Sequence, residues 1–265
     1  MTESDPARDD RNFDDLADQF AGRVYGGAKG RIRLALLERD LRETVPALYS
    51  EGPRLRILDA GGGDGPVSLG FAALGHQVDL YDLSAEMVKR AQARVETAGL
   101  RDKMQCRQAS VQSLPDNGGY DLVLFHAVLE WVADPPATLQ SVIRQVRPGG
   151  ILSLMFFNLH STLFRSVLRG FWDRVLAGDL RGKGRGLNPI SPLEPAQVLH
   201  WLEQADMRIL VRSGIRVFHD YLHHDIRKSQ DESALLALET RYSRTEPYRS
   251  LARYYHVVAR KPEVS

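Results

Sequence analysis

The stretch DAGGGDG at residues 59–65 decides the fold, because it follows directly on the apolar run LRILDA at residues 55–60. A short apolar run bounded by glycine predicts a buried strand followed by a tight turn. Glycine lets the backbone turn sharply and approach a ligand closely. The stretch therefore predicts a strand that ends in a ligand-binding loop.

Outward from this loop, strand and helix patterns alternate along the chain. Further strands are predicted at 77–82, 104–109, 121–126 and 151–157, with helices at 66–74, 84–99 and 136–146 between them. Ser84 is predicted to cap its helix through its hydroxyl group. Helices between successive strands imply a parallel sheet covered on both faces and, with right-handed crossovers, a doubly wound α/β fold.

The two ends of the chain differ from this regular centre. Helices are predicted at about 12–20 and 28–48, before the first strand, and residues 1–10 are predicted to be disordered. After residue 158, helices are predicted at 161–177, 195–204 and 231–244, with a loop at 178–186. Residues 207–218 and 252–260 alternate like an antiparallel pair. We expect a Rossmann-like sheet that is mostly parallel, with an antiparallel C-terminal strand and N-terminal helices.

The composition is that of a globular domain, with 265 residues and a formal net charge of +1. The single cysteine, Cys106, excludes an internal disulfide and a cysteine zinc site, which favours a reducing cytoplasm. We find no apolar run that could span a bilayer and no leader pattern at the polar N-terminus. Arginine supplies 29 of the 35 basic residues. Acidic residues dominate 1–18, at about −5, and basic residues dominate 165–185, at about +4, so the neutral total does not exclude an anionic partner.

The glycine loop differs from the one found in NAD-binding proteins. Those proteins carry G-x-G-x-x-G, whereas this chain carries an acid, Asp59, ahead of G-x-G-x-G. Asp59 would repel a pyrophosphate but suits a cationic group such as an α-ammonium, which disfavours an NAD-dependent reductase. Asp82, at the end of the second strand, suits the two ribose hydroxyls of an adenosine, and Leu83 suits its base.

This constellation resembles the class I S-adenosylmethionine-dependent methyltransferases over about residues 50–160. A closer resemblance runs over about 11–262, to the bacterial tRNA 5-carboxymethoxyuridine methyltransferases. The segments that carry it are RNFDDLADQF (11–20), LDAGGGDG (58–65), LFHAVLEWVADP (124–135), RPGGILSLMFFN (147–158), GIRVFHDYL (214–222) and LETRYSRTEPY (238–248). The chain departs from that family mainly at 1–10 and at 178–190.

The resemblance implies S-adenosyl-L-methionine as the cofactor, and it implies which residues hold it. Arg33 suits the carboxylate of the methionine part, with Tyr25 beside it. The third strand end is expected near adenine and the fourth near the methyl group. The predicted cofactor residues are Tyr25, Arg33, Asp59, Gly61, Gly62, Gly63, Asp82, Leu83, Ser110, Val111, Gln112 and His126.

The implied reaction is methylation of the carboxylate of 5-carboxymethoxyuridine at the wobble position of tRNA, giving a methyl ester. A carboxylate with a pKa of about 4 is already ionised at neutral pH, so we predict no catalytic general base. No metal site is predicted from the spacing of the ligand-type residues. Candidate contacts to the tRNA are Arg216, His219, Tyr221, Arg241, Arg244, Arg253 and Tyr254.

The expected organisation is a disordered extension at 1–10, a helical cap over the cofactor at 11–50, and a methyltransferase domain at 51–265 with an insertion around 160–195. The expected partner is the tRNA anticodon stem-loop, in the cytoplasm, with no membrane and no obligate protein partner evident. Two alternatives remain open. A small-molecule methyltransferase, acting on a quinone precursor or a carboxylic acid, predicts a closed apolar pocket. A non-catalytic S-adenosylmethionine-binding protein predicts binding without turnover.

Overall fold

Seven strands form one sheet in the computed structural model, which describes residues 10–12, 14, 27–114, 118–180, 189, 191–229 and 231–263. The strands are β1 (Arg56–Ala60), β2 (Gln77–Asp82), β3 (Met104–Gln108), β4 (Tyr120–His126), β5 (Val146–Phe157), β6 (Arg208–Ile215) and β7 (Tyr254–Arg260). Their order is β3-β2-β1-β4-β5-β7-β6. The five strands from β3 to β5 are mutually parallel, and β7 is antiparallel to both of its neighbours. The predicted fold class is thus confirmed.

Ten α-helices occur in the described part of the chain. They are α1 (Gly27–Thr44), α2 (Ser68–Ala73), α3 (Ala85–Thr97), α4 (Pro135–Gln145), α5 (Leu159–Leu168), α6 (Trp172–Leu176), α7 (Pro195–Gln204), α8 (His224–Ser229), α9 (Glu232–Tyr242) and α10 (Tyr248–Leu251). The predicted cap of α3 is confirmed, because Ser84 Oγ accepts a hydrogen bond from the Met87 amide at 3.1 Å. The predicted helix at 12–20, Tyr25 and most of the predicted 178–186 loop lie outside the described residues.

The central strands are apolar on both faces because both faces are covered. On β4, Val123 and Phe125 belong to one apolar cluster, whereas Leu122 and Leu124 belong to another on the opposite face. All four side chains are fully buried. Each contributes about 1.5–3 kcal/mol on burial, which explains why an unbroken apolar run is needed here.

The N-terminal helix α1 lies over one edge of this sheet. Ile32, Leu36 and Leu37 on α1 are buried against Met155 of β5 and Ile215 of β6. The helix ends at Thr44, four residues before the predicted end, and a 3-10 turn follows at Pro46–Leu48. A proline disfavours helical geometry at the residue before it, which explains the earlier end.

The start of β5, the helix predicted at 161–177 and the end of β6 also differ from the sequence prediction, because tertiary pairing or backbone geometry determines them. β5 begins at Val146 rather than 151, since Val146 pairs with Tyr120 of β4 before the register shifts. The helix predicted at 161–177 is two helices, α5 and α6, separated by Gly170 at φ +75°. The strand predicted at 207–218 ends at Ile215 because Arg216 adopts φ +65°.

Candidate active site

The glycine loop is held against the carboxyl end of β2 by hydrogen bonds. Gly61 donates its amide to the Tyr81 carbonyl at 2.7 Å. Asp82 accepts the Gly63 amide on Oδ2 at 2.8 Å and the Ser84 amide on Oδ1 at 2.9 Å. Gly61 and Gly63 have φ of +71° and +58°, a region that glycine enters without strain. Burial raises the pKa of Asp82, although the two backbone amides oppose that shift.

Two positions of this loop, Gly61 and Gly62, have no room for a side chain. A Cβ at Gly61 would lie 2.5 Å from the Val128 side chain, and one at Gly62 would lie 2.5 Å from the Asp59 carboxyl group. Asp59 is therefore beneath the loop, where burial raises its pKa to about 7. It does not line the cavity in front of the loop. Its position differs from the expectation that its carboxylate faces the ligand, and its contact is with the underside of the loop.

A cavity that is open to solvent lies in front of the loop. Eight of the predicted cofactor residues line it, namely Gly61, Gly63, Asp82, Leu83, Ser110, Val111, Gln112 and His126. Gly62, Asp59 and Arg33 are outside the lining. Lining residues that were not on the predicted list are Asp10, Arg11, Met87, Ala127, Val128, Trp131 and Val132.

The N-terminal segment closes one side of the cavity. Asp10 accepts a hydrogen bond from Gln112 Nε2 at 2.7 Å and another from the Ala133 amide at 2.8 Å. The Arg11 amide donates to the Trp131 carbonyl at 3.1 Å. The predicted disordered extension at 1–10 is therefore too long by its last residue, because Asp10 is fixed by these partners. This contact could not be predicted from the sequence, because the segment is polar and has no periodic pattern of apolar residues.

A chain of buried hydrogen bonds connects the cavity with α1. His126 Nε2 lies 2.8 Å from Ser153 Oγ, and that oxygen lies 2.9 Å from His256 Nε2. His256 Nδ1 lies 2.8 Å from Asp40 Oδ2. Asp40 also pairs with Arg39 at 2.7 Å and with Arg244 at 2.6 Å. Burial, and then the neighbouring His256 and Arg33, hold the pKa of His126 well below its usual range.

Arg33 and Tyr254 connect the cavity with a second group of charged residues. The Arg33 guanidinium lies 4.7 Å from the centre of the Tyr254 ring, and the Arg216 guanidinium lies 5.2 Å from it. Arg33 is fully buried and lies near Glu130, whose pKa is raised to about 7 by burial although Arg33 opposes that shift. The predicted residues Arg33, His126, Arg216 and Tyr254 therefore belong to one continuous region.

Four cations lie around the acid Asp220 in the described part of this region. We call them the cation cluster: Lys29, Arg165, Arg216 and Arg253. Arg216 pairs with Asp220 at 3.0 Å, and the Arg253 guanidinium lies 4.1 Å from the centre of the Phe157 ring. Burial would raise the pKa of Asp220, but the nearby arginines hold it well below its usual range. Lys29 and Arg165 were missed in the sequence, where neither lies in a motif.

One glutamate shapes the turn that carries Arg216. Glu239 of α9 accepts the backbone amides of Val217, Phe218 and His219 at 2.6, 3.0 and 2.7 Å. Glu239 is fully buried, and burial raises its pKa although the three amides oppose that shift. This carboxylate explains how Arg216 keeps a left-handed backbone conformation.

The remaining predicted tRNA residues divide between two places. Tyr221 donates to the Leu251 carbonyl and lies 3.1 Å from Ser161, and His219 Nδ1 lies 3.8 Å from Asp220, so both adjoin the cation cluster. Arg244 instead pairs with Asp40 and with Glu43 at 2.7 Å, which fixes α1 to the end of α9. Arg241 is exposed on α9 and lies over its neighbour Tyr242. The structure does not bring these two arginines into the cluster.

Comparison with known proteins decides the family. A family model for a methyltransferase domain matches residues 58–154. The chain is 48% identical over 257 residues to tRNA 5-carboxymethoxyuridine methyltransferase from Escherichia coli K12, covering 96% of this chain and 97% of that protein. The chain belongs to the tRNA 5-carboxymethoxyuridine methyltransferase family. The resemblance to this family that the sequence segments indicated is thus confirmed.

More distant relatives of this methyltransferase share parts of the chain or the fold. Ubiquinone biosynthesis O-methyltransferase from Xanthomonas oryzae is 32% identical over 167 residues, which is 60% of this chain and 65% of that protein. Among solved structures, magnesium protoporphyrin IX methyltransferase from Synechocystis PCC 6803 with bound SAH superposes with a TM-score of 0.63 at 18% identity. That superposition covers 94% of this chain and 96% of the other, and it shows a common fold.

The residues of the cavity fit S-adenosylmethionine. Each oxygen of Asp82 accepts one backbone amide, so lone pairs remain for two ribose hydroxyls. Leu83, Met87 and Val111 provide apolar surface suited to an adenine ring. Gly61 and Gly63 line the cavity, and glycine allows a ligand to approach the backbone closely. Within the described ranges, no group of three or more ligand-type side chains could hold a metal ion, and no helix is long and apolar enough to cross a membrane.

Proposed function

We propose that this methyltransferase esterifies the carboxylate of 5-carboxymethoxyuridine at the wobble position of tRNA, using S-adenosyl-L-methionine. The observation that carries the proposal is the excess of positive charge in the cation cluster, next to the cofactor cavity. The identity to the Escherichia coli enzyme supports the same substrate. Basic residues outnumber acidic residues after position 160, and the name of that relative includes tRNA. Both observations support the tRNA anticodon stem-loop as the partner, and we propose that the two meet in the cytoplasm.

The cation cluster favours an anionic substrate because its own charges do not cancel. Within the described residues, Lys29, Arg165, Arg216 and Arg253 lie around Asp220, whose carboxylate balances one of their four positive charges. Burial, followed by the charge of Arg165, lowers the pKa of Arg253 to about 10, and burial also lowers the pKa of Lys29. A second anion in this space would reverse both effects, because buried charges are stable only when they are paired.

The reaction needs positioning more than proton transfer. S-adenosylmethionine supplies an activated methyl group, which a carboxylate oxygen takes while the electron pair of the carbon–sulfur bond stays on sulfur. The carboxylate is ionised at neutral pH, so no protein group has to remove a proton. His126 lines the cavity and is neutral because its pKa is lowered. We propose that Arg216 and Arg253 hold the oxygen that does not react, and orientation of this kind contributes several kcal/mol.

The N-terminal segment is proposed to act as a cap over the cofactor. Asp10 and Arg11 line the cavity and are tied to its walls through Gln112, Ala133 and Trp131. This supports the predicted cap at 11–50, with the methyltransferase domain following from 51. We propose Arg33 as a residue that links the cofactor end of the site with the substrate end, through its contact with Tyr254.

The test is esterification of tRNA by the purified protein. The substrate is tRNA from cells that lack the enzyme, and the products are digested and analysed as nucleosides by mass spectrometry. We expect the carboxymethoxyuridine nucleoside to gain one methyl group, and mild alkali to remove it, as only an ester allows. Arg253→Met should lower kcat/KM for tRNA about tenfold to hundredfold, the loss expected for one charged contact. Its affinity for S-adenosylhomocysteine should not change.

Arg241→Met is the matched control, since Arg241 is exposed and outside the cluster. Faster methylation of a small carboxylic acid or a quinone precursor than of tRNA would replace the proposal by the small-molecule alternative. Binding of S-adenosylhomocysteine without any turnover would support the non-catalytic alternative instead.

A further inference from the structure

The helices α5 and α6 expose an unusual amount of apolar surface. Of the ten large apolar side chains that are exposed in the described part of the chain, seven lie between Leu163 and Leu176. Trp172 is 63% exposed and Leu176 is 86% exposed. Single exposed apolar residues need no explanation, but a contiguous patch marks an interaction site.

These residues form an exposed apolar face on each helix. Leu163, Phe164, Val167 and Leu168 share one side of α5, and Trp172 and Leu176 share one side of α6. The Trp172 indole nitrogen donates to the Val167 carbonyl at 3.0 Å, which holds the start of α6 against the end of α5. Ser161 is the only residue of α5 that is buried, and α6 has no buried residue. We call the two faces together the α5–α6 patch, and its main members are Phe164, Val167, Leu168, Phe171, Trp172 and Leu176.

The patch is continuous with the cation cluster. The Phe164 ring contacts the Tyr221 ring edge-on, with 5.4 Å between their centres, and Tyr221 in turn bonds to Ser161 of α5. Arg165, the residue after Phe164, is a member of the cluster. Three arginines and one aspartate are the charged residues from 159 to 176, so the patch lies in a basic setting.

We propose that the α5–α6 patch binds unpaired bases of the tRNA anticodon loop by stacking. The proposal rests on the function proposed above, because that function places one nucleotide of the loop at the cation cluster. The neighbouring nucleotides of the same loop must then lie near Phe164 and Arg165. Unpaired bases stack on aromatic rings and on guanidinium planes, while their phosphates pair with arginine.

Charge favours RNA over the other possible occupants of the patch. A second copy of the chain, related by two-fold symmetry, would bring Arg165 and Arg169 toward the same residues of its partner. A paired RNA stem would offer phosphates but no free base to cover Phe171 and Trp172. An unpaired loop offers both the negative charge and the flat apolar rings.

The test compares binding of two fluorescent RNAs by the full-length protein. One is a hairpin with the seven-membered anticodon loop sequence, and the other is a fully paired duplex of equal length. Trp172→Ala should weaken binding of the loop RNA about tenfold, in line with the loss of one stacked base. Binding of the duplex should not change. Trp172→Phe should restore most of the affinity, whereas Trp172→Leu should not.

Leu238→Ala, an exposed apolar residue of α9, is the control and should bind both RNAs normally. Equal loss of duplex and loop binding, or rescue by leucine, would overturn the stacking proposal. Two other results would also overturn it. One is a dimer of the wild-type protein in analytical ultracentrifugation that Trp172→Ala abolishes. The other is co-sedimentation of the wild-type protein with phosphatidylglycerol vesicles that Trp172→Ala abolishes. Failure of the proposed function has a different signature, since the wild-type protein would then form no ester on tRNA.

Discussion

At the scale of single residues, the neighbours of His126 determine both its protonation and the orientation of its ring. Asp40 is ionised, because His256, Arg39 and Arg244 hold its pKa well below its usual range against the effect of burial. His256 Nδ1 faces this carboxylate and donates to it, so its Nε2 faces Ser153 Oγ. The Nε2 atom of His126, whose pKa is lowered, contacts the same hydroxyl group. The chain of contacts therefore fixes the orientation of the His126 ring.

Ser153→Ala should therefore loosen His126 without touching the cavity directly. Removing the hydroxyl leaves two buried ring nitrogens without a partner, at about 1–3 kcal/mol each. We expect affinity for S-adenosylhomocysteine to fall about tenfold, which corresponds to about 1.4 kcal/mol. Nitrogen NMR of labelled histidines should show one His126 tautomer in the wild-type protein and a mixture in the variant. Unchanged spectra and unchanged affinity would contradict the ordered chain, and Ser229→Ala on exposed α8 is the control.

At the scale of elements, the turn after β6 is held by α9. Glu239 accepts three successive amides, and this fixes Arg216 at φ +65° with its side chain against Asp220. The helix therefore contributes to the substrate region through the backbone of another element. The members of the cation cluster come from α1, α5, the turn after β6 and the residue that precedes β7.

Glu239→Ala should destabilise the fold and weaken the cation cluster together. Hydrogen bonds to a buried charged group contribute about 1.5–3 kcal/mol each, so the loss should reach about 3 kcal/mol even without additivity. Urea unfolding measures the first effect, and binding of the anticodon hairpin measures the second. Glu232→Ala on the same helix is the control, because its exposed pair with Arg31 contributes at most about 1 kcal/mol. Equal stability of both variants would contradict the role of Glu239.

The elements themselves were largely predictable, because their signals are local. β2 has the predicted bounds, and the Ser84 cap and the loop at Gly61 were found from neighbouring residues. The start of β5 was not predictable, since pairing with β4 determines it. The buried chain joins residues up to 216 positions apart, so no window of sequence could reveal it. The roles of Lys29 and Arg165 were likewise not predictable, because only the folded structure brings these two residues close to Asp220.

At the scale of the whole molecule, two sets of buried carboxyl groups have opposite effects on how the stability of the fold depends on pH. Asp40 and Asp220 have lowered pKa values, so the stability they contribute is present above about pH 4 and is lost as the pH falls. Burial raises the pKa of Asp59 and of Glu130 to about 7. Their contribution is present below about pH 4 and is lost as the pH rises through 7. The ligand-free protein should therefore be most stable at mildly acidic pH.

Thermal unfolding between pH 4 and pH 9 measures this profile. We expect Tm to fall from about pH 5 to pH 8 in the wild-type protein, and we expect a shallower fall in Asp59→Asn, which cannot ionise there. Asp102→Asn, at an exposed position, should follow the wild-type curve. A wild-type Tm that is constant or rising over this interval would show that Asp59 is ionised in the folded protein.

The position of β7 between β5 and β6 has a consequence for protein synthesis. Arg253 directly precedes this strand, and Tyr254 and His256 lie within it, although β7 follows β1 to β6 in the chain. A chain that stops before residue 253 lacks the sheet neighbour of β6, the His256 link of the buried hydrogen-bond chain and the Arg253 member of the cation cluster. We therefore expect a growing polypeptide on the ribosome to be inactive toward tRNA until β7 has been made, and we expect chains terminated before it to stay inactive.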